Sequence, residues 1–540
     1  MAPQLSLDLS PLGISWALTL PLLAVGLLAA ATLVDWTSIQ RKLVKAWMRS
    51  QGYLQDAEGK AIPEVKGDSR FSRFSHGYEL SRKGAAVAGT SPYLIWNGAV
   101  PEIVLTQPEH VRTFYSRSSQ EHFKPVNAHM GHYFGRVMGV CAGVQNGEVW
   151  KNIRKVFDPH FSYQSATGFT RLFDAELDRW IRDLANRAGH ESDFVVEATT
   201  ACTVLPFKLI ALACYGPAMT EEAFADLLRL NSVHERVLLT TWFGRKERSR
   251  LYNLLPTRSK KDMDAFESQW KAYNFRMMRE SEAKGLPCPV REMYRDVVAG
   301  TITEANWLQT IDEILFTNLD VTSAILAFLL INLSINQDAQ AELREEILRH
   351  TRPASSSSSL SSSLSGDDFG AIEDYIKKSD TLLEYTCLES TRLCPAVWFT
   401  LPEYAGADLE VGGYRIKAGT SCIIDWARLN TESPLWNAEK PGVGRAEPAS
   451  GKVFDPQRFR SLSPTQYRWS MLRFGLGGRQ CIGKNFASRI MKQFLVKVLT
   501  HYRVLLHGDR PVKQWGTINV ELRDDRFTVM PKQNIRFVRV

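Results

Sequence analysis

The ten residues Phe474-Gly475-Leu476-Gly477-Gly478-Arg479-Gln480-Cys481-Ile482-Gly483 constrain this chain more than any other stretch. Three glycines ahead of one cysteine allow tight turns and a close approach of the backbone to a flat ligand. The apolar spacing from about residue 484 to 502 predicts a helix directly after the loop. Amides near the start of that helix stabilise a thiolate on Cys481, and Arg479 supplies a charge able to neutralise an acidic group on the ligand. The residues alone leave two readings of Cys481: an iron ligand, or a small hydrophobe beside a glycine turn.

Other charged residues fall at telling intervals. Glu389 and Arg392, in Glu389-Ser390-Thr391-Arg392, share one face of a helix expected to end near Pro395. Between them and Cys481 runs Phe454-Asp455-Pro456-Gln457-Arg458-Phe459. Trp150 and Arg154 stand four apart in a predicted helix and project from the same face.

Together these pieces resemble the cytochrome P-450 superfamily. The loop matches F-x-x-G-x-R-x-C-x-G, with Arg473 where many members carry proline, and the other segments match E-x-x-R, F-x-P-x-R-F and W-x-x-x-R. The resemblance implies a mainly α fold with small β-sheets (α+β), the triangular fold of that superfamily, over residues 65–540. It implies haem b with the Cys481 thiolate as axial iron ligand, and Phe474 and Gly475 shaping the loop around it. Arg479, Trp150 and Arg154 would hold the propionates. Glu389, Arg392 and Arg458 would form a buried structural network. Many members place another propionate arginine soon after E-x-x-R, but no Lys, Arg or His occurs from Leu393 through Tyr414.

The largest departure lies in Ile311-Asp312-Glu313-Ile314-Leu315-Phe316-Thr317-Asn318-Leu319-Asp320-Val321-Thr322-Ser323, where the family carries [AG]-G-x-[DE]-T-[TS]. Aligned on Asp320 and Thr322, the chain has Val321 at the position of the threonine thought to help protonate dioxygen. Valine neither donates nor relays a proton. Asp320, Thr317 and Thr322 are the candidate catalytic residues. Thr317 lies one turn before Val321 on the same face, whereas Thr322 is rotated by about 100°; the competing reading has Thr317 bonding back to its own helix.

The resemblance places substrate contacts at about 118–145, near 228–245, beside Asp320 and just after the E-x-x-R helix. Phe316, Val321, Val397, Trp398 and Phe399 would make an apolar pocket suited to a lipophilic small molecule. With no flavin or dinucleotide fingerprint, electrons are expected from NADPH through a separate cytochrome P-450 reductase, with cytochrome b5 as a second candidate donor. Lys151, Lys155 and Lys484 would face such a partner.

Composition sets the wider frame. The 66 basic and 58 acidic residues give +8 without a Lys/Arg tract, so nucleic acid is not indicated. Eight scattered cysteines suggest neither a disulfide framework nor a zinc site. Residues 9–34 carry no charge and exceed the ~20 residues that span a bilayer. Arg41, Lys42, Lys45 and Arg49 follow this run, so a single-pass anchor within 1–36 would leave the body on the cytosolic side of the endoplasmic reticulum, in contact with lipid. Residues 37–64 read as a linker. The serine-rich tract at about 353–368 reads as a disordered insertion.

The expected activity is a microsomal haem monooxygenase that hydroxylates, desaturates or cyclises its substrate, most like fungal specialised-metabolism members. The alternatives are a haem-thiolate isomerase or dehydratase needing neither O2 nor NADPH, favoured by Val321, and a haem carrier without turnover.

Overall fold

Where the apolar period changes between helical and alternating, the chain changes from helix to short strand. The computed structural model describes residues 36–117, 123–351, 366–437, 450–508, 521–522 and 528–540. The expected span at 9–34 lies outside them, as does the serine tract up to residue 365. Eight helices matter for the site: α1 (Trp36–Ser50), α2 (Gly77–Ala88), α3 (Gly147–Phe157), α4 (Glu221–Phe243), α5 (Arg258–Ala283), α6 (Glu304–Ile335), α7 (Leu382–Leu393) and α8 (Lys484–His501).

Helix α6 is the axis of the molecule. Thr303 and Asn306 close a capping box at its start, and no glycine or proline interrupts the next 32 residues, about 48 Å of helix. It is apolar enough to cross a membrane, as is Ala198–Ala218, yet most of each is buried within the protein. Both are core helices.

Small sheets flank this body. The strands β1 (Tyr93–Asn97) and β2 (Val100–Leu105) pair antiparallel around Gly98, whose φ of +63° suits a two-residue turn. The chain then supplies β3 (Asp193–Glu197), β4 (Glu403–Tyr404), β5 (Leu409–Val411), β6 (Tyr414–Ile416), β7 (Ser421–Ile424), β8 (Tyr502–Leu506), β9 (Glu521–Leu522), β10 (Pro531–Lys532) and β11 (Asn534–Arg539). Among the described residues the sheets run β1-β2-β7-β4, β3-β11-β8, β5-β6 and β10-β9. The result is the α+β architecture expected, with two small sheets built from distant parts of the chain.

Two glycines of α2 are needed for this packing. A Cβ on Gly77 would meet Trp398 at 2.4 Å, and one on Gly84 would meet the Tyr93 ring at 2.2 Å. Both contacts draw α2 against β1 and the segment after α7.

The structure differs from the sequence reading at residues 37–64 and adds one strand to it. Asp193–Glu197 is a strand because β11, more than three hundred residues later, pairs with it from Asn534↔Glu197 to Val538↔Asp193. Residues 37–64 are not a free linker. Helix α1 buries Met48 and is tied to the body by Arg41–Asp68 at 3.2 Å and by the Lys45–Glu64 ion pair.

Candidate active site

The cysteine loop is closed by the Cys481 N–H donating to the Phe474 carbonyl at 2.8 Å, and its turns place Gly475 and Gly477 at φ +80° and +65°. Only glycine adopts such angles without strain. Seven of the eight cysteines are buried and Cys481 is the exposed one. Protein nevertheless surrounds its thiol. Burial raises its pKa, an N–H bond from Gly483 opposes that rise, and Arg154 and Lys484 add to the opposition. A thiol open to a small probe but walled by protein is the floor of a slot, and a metal bound there would favour the thiolate.

The rim of the slot is cationic and aromatic. The Arg479 guanidinium lies 4.4 Å from the Trp150 ring centroid and donates to the Gln145 carbonyl at 2.6 Å and Asn146 Oδ1 at 2.8 Å. Arg154, one turn after Trp150, donates to the Gln480 carbonyl at 3.0 Å and pairs with Asp158 at 2.7 Å. A Cβ on Gly478 would rest 3.5 Å from Trp150. Cys481, Phe474, Gly475, Arg479, Trp150 and Arg154 thus come together at one place, and the set fits an iron porphyrin with acidic side arms. Arg473, at the loop's entry, pairs with Glu384 of α7 at 2.9 Å and lies over the Phe474 ring.

Behind the slot, Glu389 accepts from Arg392 Nε at 2.7 Å and Nη2 at 2.8 Å, from Arg458 Nε at 2.9 Å and from the Asp455 N–H at 2.9 Å. Arg392 also donates to the carbonyls of Asn430 and Gly451. All three charged side chains are buried. Their donors and acceptors close on one another, which is the condition under which buried charge is tolerated.

On α6 the two candidate hydroxyls are spent within the helix. Thr317 Oγ1 donates to the Glu313 carbonyl, and Thr322 Oγ1 to Asn318 Oδ1. Asp320 instead lines a small, half-open cleft between α4 and α6. Its α6 wall is Phe316, Leu319 and Asp320; its α4 wall includes Asn231, His234, Glu235, Leu238 and Trp242. Val321, Val397, Trp398 and Phe399 are not among the cleft's lining residues. Trp398 packs against Tyr78 at 5.4 Å between ring centroids, and Phe399 bridges to Asp425.

Two constellations escaped the sequence reading. One is a polar stripe on α6. Val140 N–H donates to Gln309 Oε1 at 2.8 Å, Ala142 N–H to Thr310 Oγ1 at 3.2 Å, and Gly143 N–H to Glu313 Oε2 at 3.0 Å. Asn306 and Gln309 donate in return to the carbonyls of Val140 and Arg136. This clasps the loop before α3 against α6, and burial raises the Glu313 pKa. The second is His234–Asp312, an imidazole and a carboxyl 3.0 Å apart between α4 and α6. Burial raises the Asp312 pKa and His234 opposes the rise. Polar residues at 306, 309, 310 and 313 do repeat at helical spacing within an apolar helix, a signal available in the sequence.

Comparison with known proteins gives the family. The family described as Cytochrome P450 matches residues 90–524. The cytochrome P450 monooxygenase lepD of Aspergillus flavus is 35% identical over 482 residues, covering 88% of this chain and 90% of that protein. The cytochrome P450 monooxygenase opdB of Penicillium oxalicum is 32% identical over 460 residues, covering 84% and 86%. The cytochrome P450 monooxygenase PUL2 of Kluyveromyces lactis is 30% identical over 509 residues, covering 92% and 94%.

Proposed function

The chain belongs to the cytochrome P450 family, and from that premise we propose that it is a membrane-anchored haem-thiolate monooxygenase. It oxidises a lipophilic small molecule of fungal specialised metabolism, using molecular oxygen and electrons passed from NADPH by a separate reductase. The observation that carries this reading is the one exposed cysteine, Cys481, at the floor of a walled slot whose rim holds Arg154, Arg479 and Trp150.

When bound, haem b supplies the oxygen-activating redox chemistry. The rest falls to the chain. Cys481 Sγ would hold the haem iron as a thiolate. Arg479 and Arg154 would hold the propionates, with the Trp150 indole N–H as a further donor. Phe316, Leu238 and Trp242 exclude water and orient an apolar substrate in the cleft. The Asp320 carboxylate on the cleft wall takes up and releases a proton, a task Val321 cannot share.

Membrane attachment is supported by the uncharged run at 9–34, by Trp36, Leu43 and Trp47 exposed on α1, and by Leu251 and Leu254 exposed beyond α4. The basic residues after the run support a cytosolic catalytic domain at the endoplasmic reticulum. Lys151, Lys155 and Lys484 would meet the acidic face of the reductase, or of cytochrome b5. Val321, with both neighbouring hydroxyls bonded inside α6, favours one second reading, a haem-thiolate isomerase or dehydratase independent of O2 and NADPH.

The reduced enzyme should show the red-shifted carbon monoxide absorption of thiolate-ligated haem, and Cys481→Ser should lose it. Without that absorption in the unsubstituted enzyme the proposal fails. Microsomes carrying enzyme and reductase, fed the precursor that accumulates when the gene is deleted, should form a product gaining oxygen or losing hydrogen only with NADPH. An isomeric product formed without NADPH selects the second reading.

A further inference from the structure

We infer that the cleft between α4 and α6 recognises a hydrogen-bond donor, an N–H or O–H group, on an otherwise apolar substrate, and that His234 held by Asp312 sets this preference. The inference rests on the monooxygenase reading only in taking the cleft as the substrate's binding place. His234 is 0% exposed and Asp312 1%, with His234 Nε2 at 3.0 Å from Asp312 Oδ1. The imidazole lies flat on Phe316, ring centroids 4.0 Å apart and planes at 19°, and Phe266, tilted by 56° with its centroid at 4.8 Å, packs beside the stacked pair. The imidazole cannot turn without losing the stack and the hydrogen bond together.

The tautomer follows from the partner. A carboxylate accepts only, so it holds the proton on Nε2 and leaves Nδ1 with a lone pair. Nδ1 is buried and has no hydrogen-bond partner among the described residues. Leaving such an atom unsatisfied is costly, and a donor arriving with the substrate relieves that cost. The remaining polar groups of the cleft, on Asn231, Glu235 and Asp320, each offer oxygen acceptors, and no lysine or arginine lines it. Such walls favour a donor and repel a carboxylate or phosphate. The substrate class is therefore a lipophilic amide, lactam, amine, phenol or alcohol rather than an acid.

Full-length holoenzyme in lipid nanodiscs, titrated calorimetrically with 4-butylphenol, its methyl ether 4-butylanisole and 4-butylbenzoate, tests this. The three probes share an apolar body and differ in offering a donor, no donor, or an anion. The phenol should bind about tenfold tighter than the ether, with the benzoate weakest. His234→Phe keeps a ring against Phe316 but has no Nδ1, and should bring phenol and ether within about twofold. Asp312→Leu, which has no acceptor to hold the proton on Nε2, should shrink the same ratio and serves if the phenylalanine variant does not fold. Equal binding of phenol and ether by the unsubstituted enzyme, tighter binding of the benzoate, or a ratio that survives either substitution overturns the inference. The carbon monoxide absorption of the same preparations keeps the two readings apart. Intact absorption without donor discrimination sinks donor recognition alone. Absent absorption sinks the haem-thiolate reading, while the calorimetric comparison still decides the role of His234.

Discussion

Asp320 and Thr317 share α6 but not a function. The Thr317 hydroxyl is committed to the Glu313 carbonyl, whereas Asp320 faces the cleft. In steady-state kinetics on the substrate the enzyme turns over, Asp320→Asn should lower kcat by about 100-fold and Thr317→Val by less than about twofold. Asp425 illustrates a different residue effect. It is fully buried, accepts from Ser81 Oγ at 2.7 Å and from the Arg428 N–H at 3.2 Å, and caps the helix that starts at Trp426. Burial raises its pKa to about 6 from an ordinary 3.8. A carboxyl that binds its proton more tightly when folded stabilises the fold increasingly as pH falls from about 6 to about 4. The charged form is a burden above that window. Asp425→Asn should flatten the stability profile between those pH values, removing a slope worth about 3 kcal/mol in urea unfolding at stepped pH. At this scale the sequence was legible where chemistry demands a residue type at a fixed spacing, as at Cys481, Arg479 and Arg154. Asp425 was invisible because its role depends on Ser81 and Tyr93, more than three hundred residues away.

Elements position these groups through polar contacts as much as through apolar packing. Helix α7 delivers Glu389 and Arg392, the turn at Pro456–Ser461 delivers Arg458, and every donor of the resulting cluster meets a carboxylate or a carbonyl. Arg458→Met removes one cation and leaves Glu389 buried beside Arg392 alone. We expect a loss of about 3–5 kcal/mol in urea unfolding, together with a lower haem content after purification. The long elements were readable because each carries its own signal. Helix α6 has its capping box, its uninterrupted apolar run and its length. The strand at Asp193–Glu197 has no such local mark, since its partner is the C-terminal strand Asn534–Arg539. The clasp of Gln309, Thr310 and Glu313 on residues 140–143 was passed over for a related reason. Hydropathy records that a helix is apolar, and polar residues on its buried face register only as a dilution of that pattern.

At the scale of the whole molecule, a run of contacts brings two sets of exposed apolar groups near one another. Trp36, Leu43 and Trp47 stand out from α1, which is tied through Arg41 to Asp68 and Arg70. Arg248 lies over neighbouring Phe71 and leads to exposed Leu251 and Leu254. If this side rests on lipid, a chain lacking residues 1–35 should still sediment with anionic liposomes at low salt, and the paired change Leu251→Ser and Leu254→Ser should lower the bound fraction severalfold. The body of the fold was legible as a helical mass with small sheets, and the site as a cysteine slot. The walls of the cleft fall where substrate contacts were expected, within 228–245 and beside Asp320; the His234–Asp312 pair was not foreseen, because it exists only where α4 crosses α6. That central helix also has a life before folding. If the chain is made at a membrane, as the proposed anchor requires, the helix emerges as a 32-residue segment hydropathic enough to be taken up as a further span. Asp312, Glu313 and Asp320 would then each cost about 3 kcal/mol near the bilayer centre, against a fraction of that gained per leucine. The carboxyls that later hold His234 and the loop before α3 would then first oppose insertion of the nascent helix. An engineer who replaced them with leucine to tighten the core would create a topological error before any packing could form.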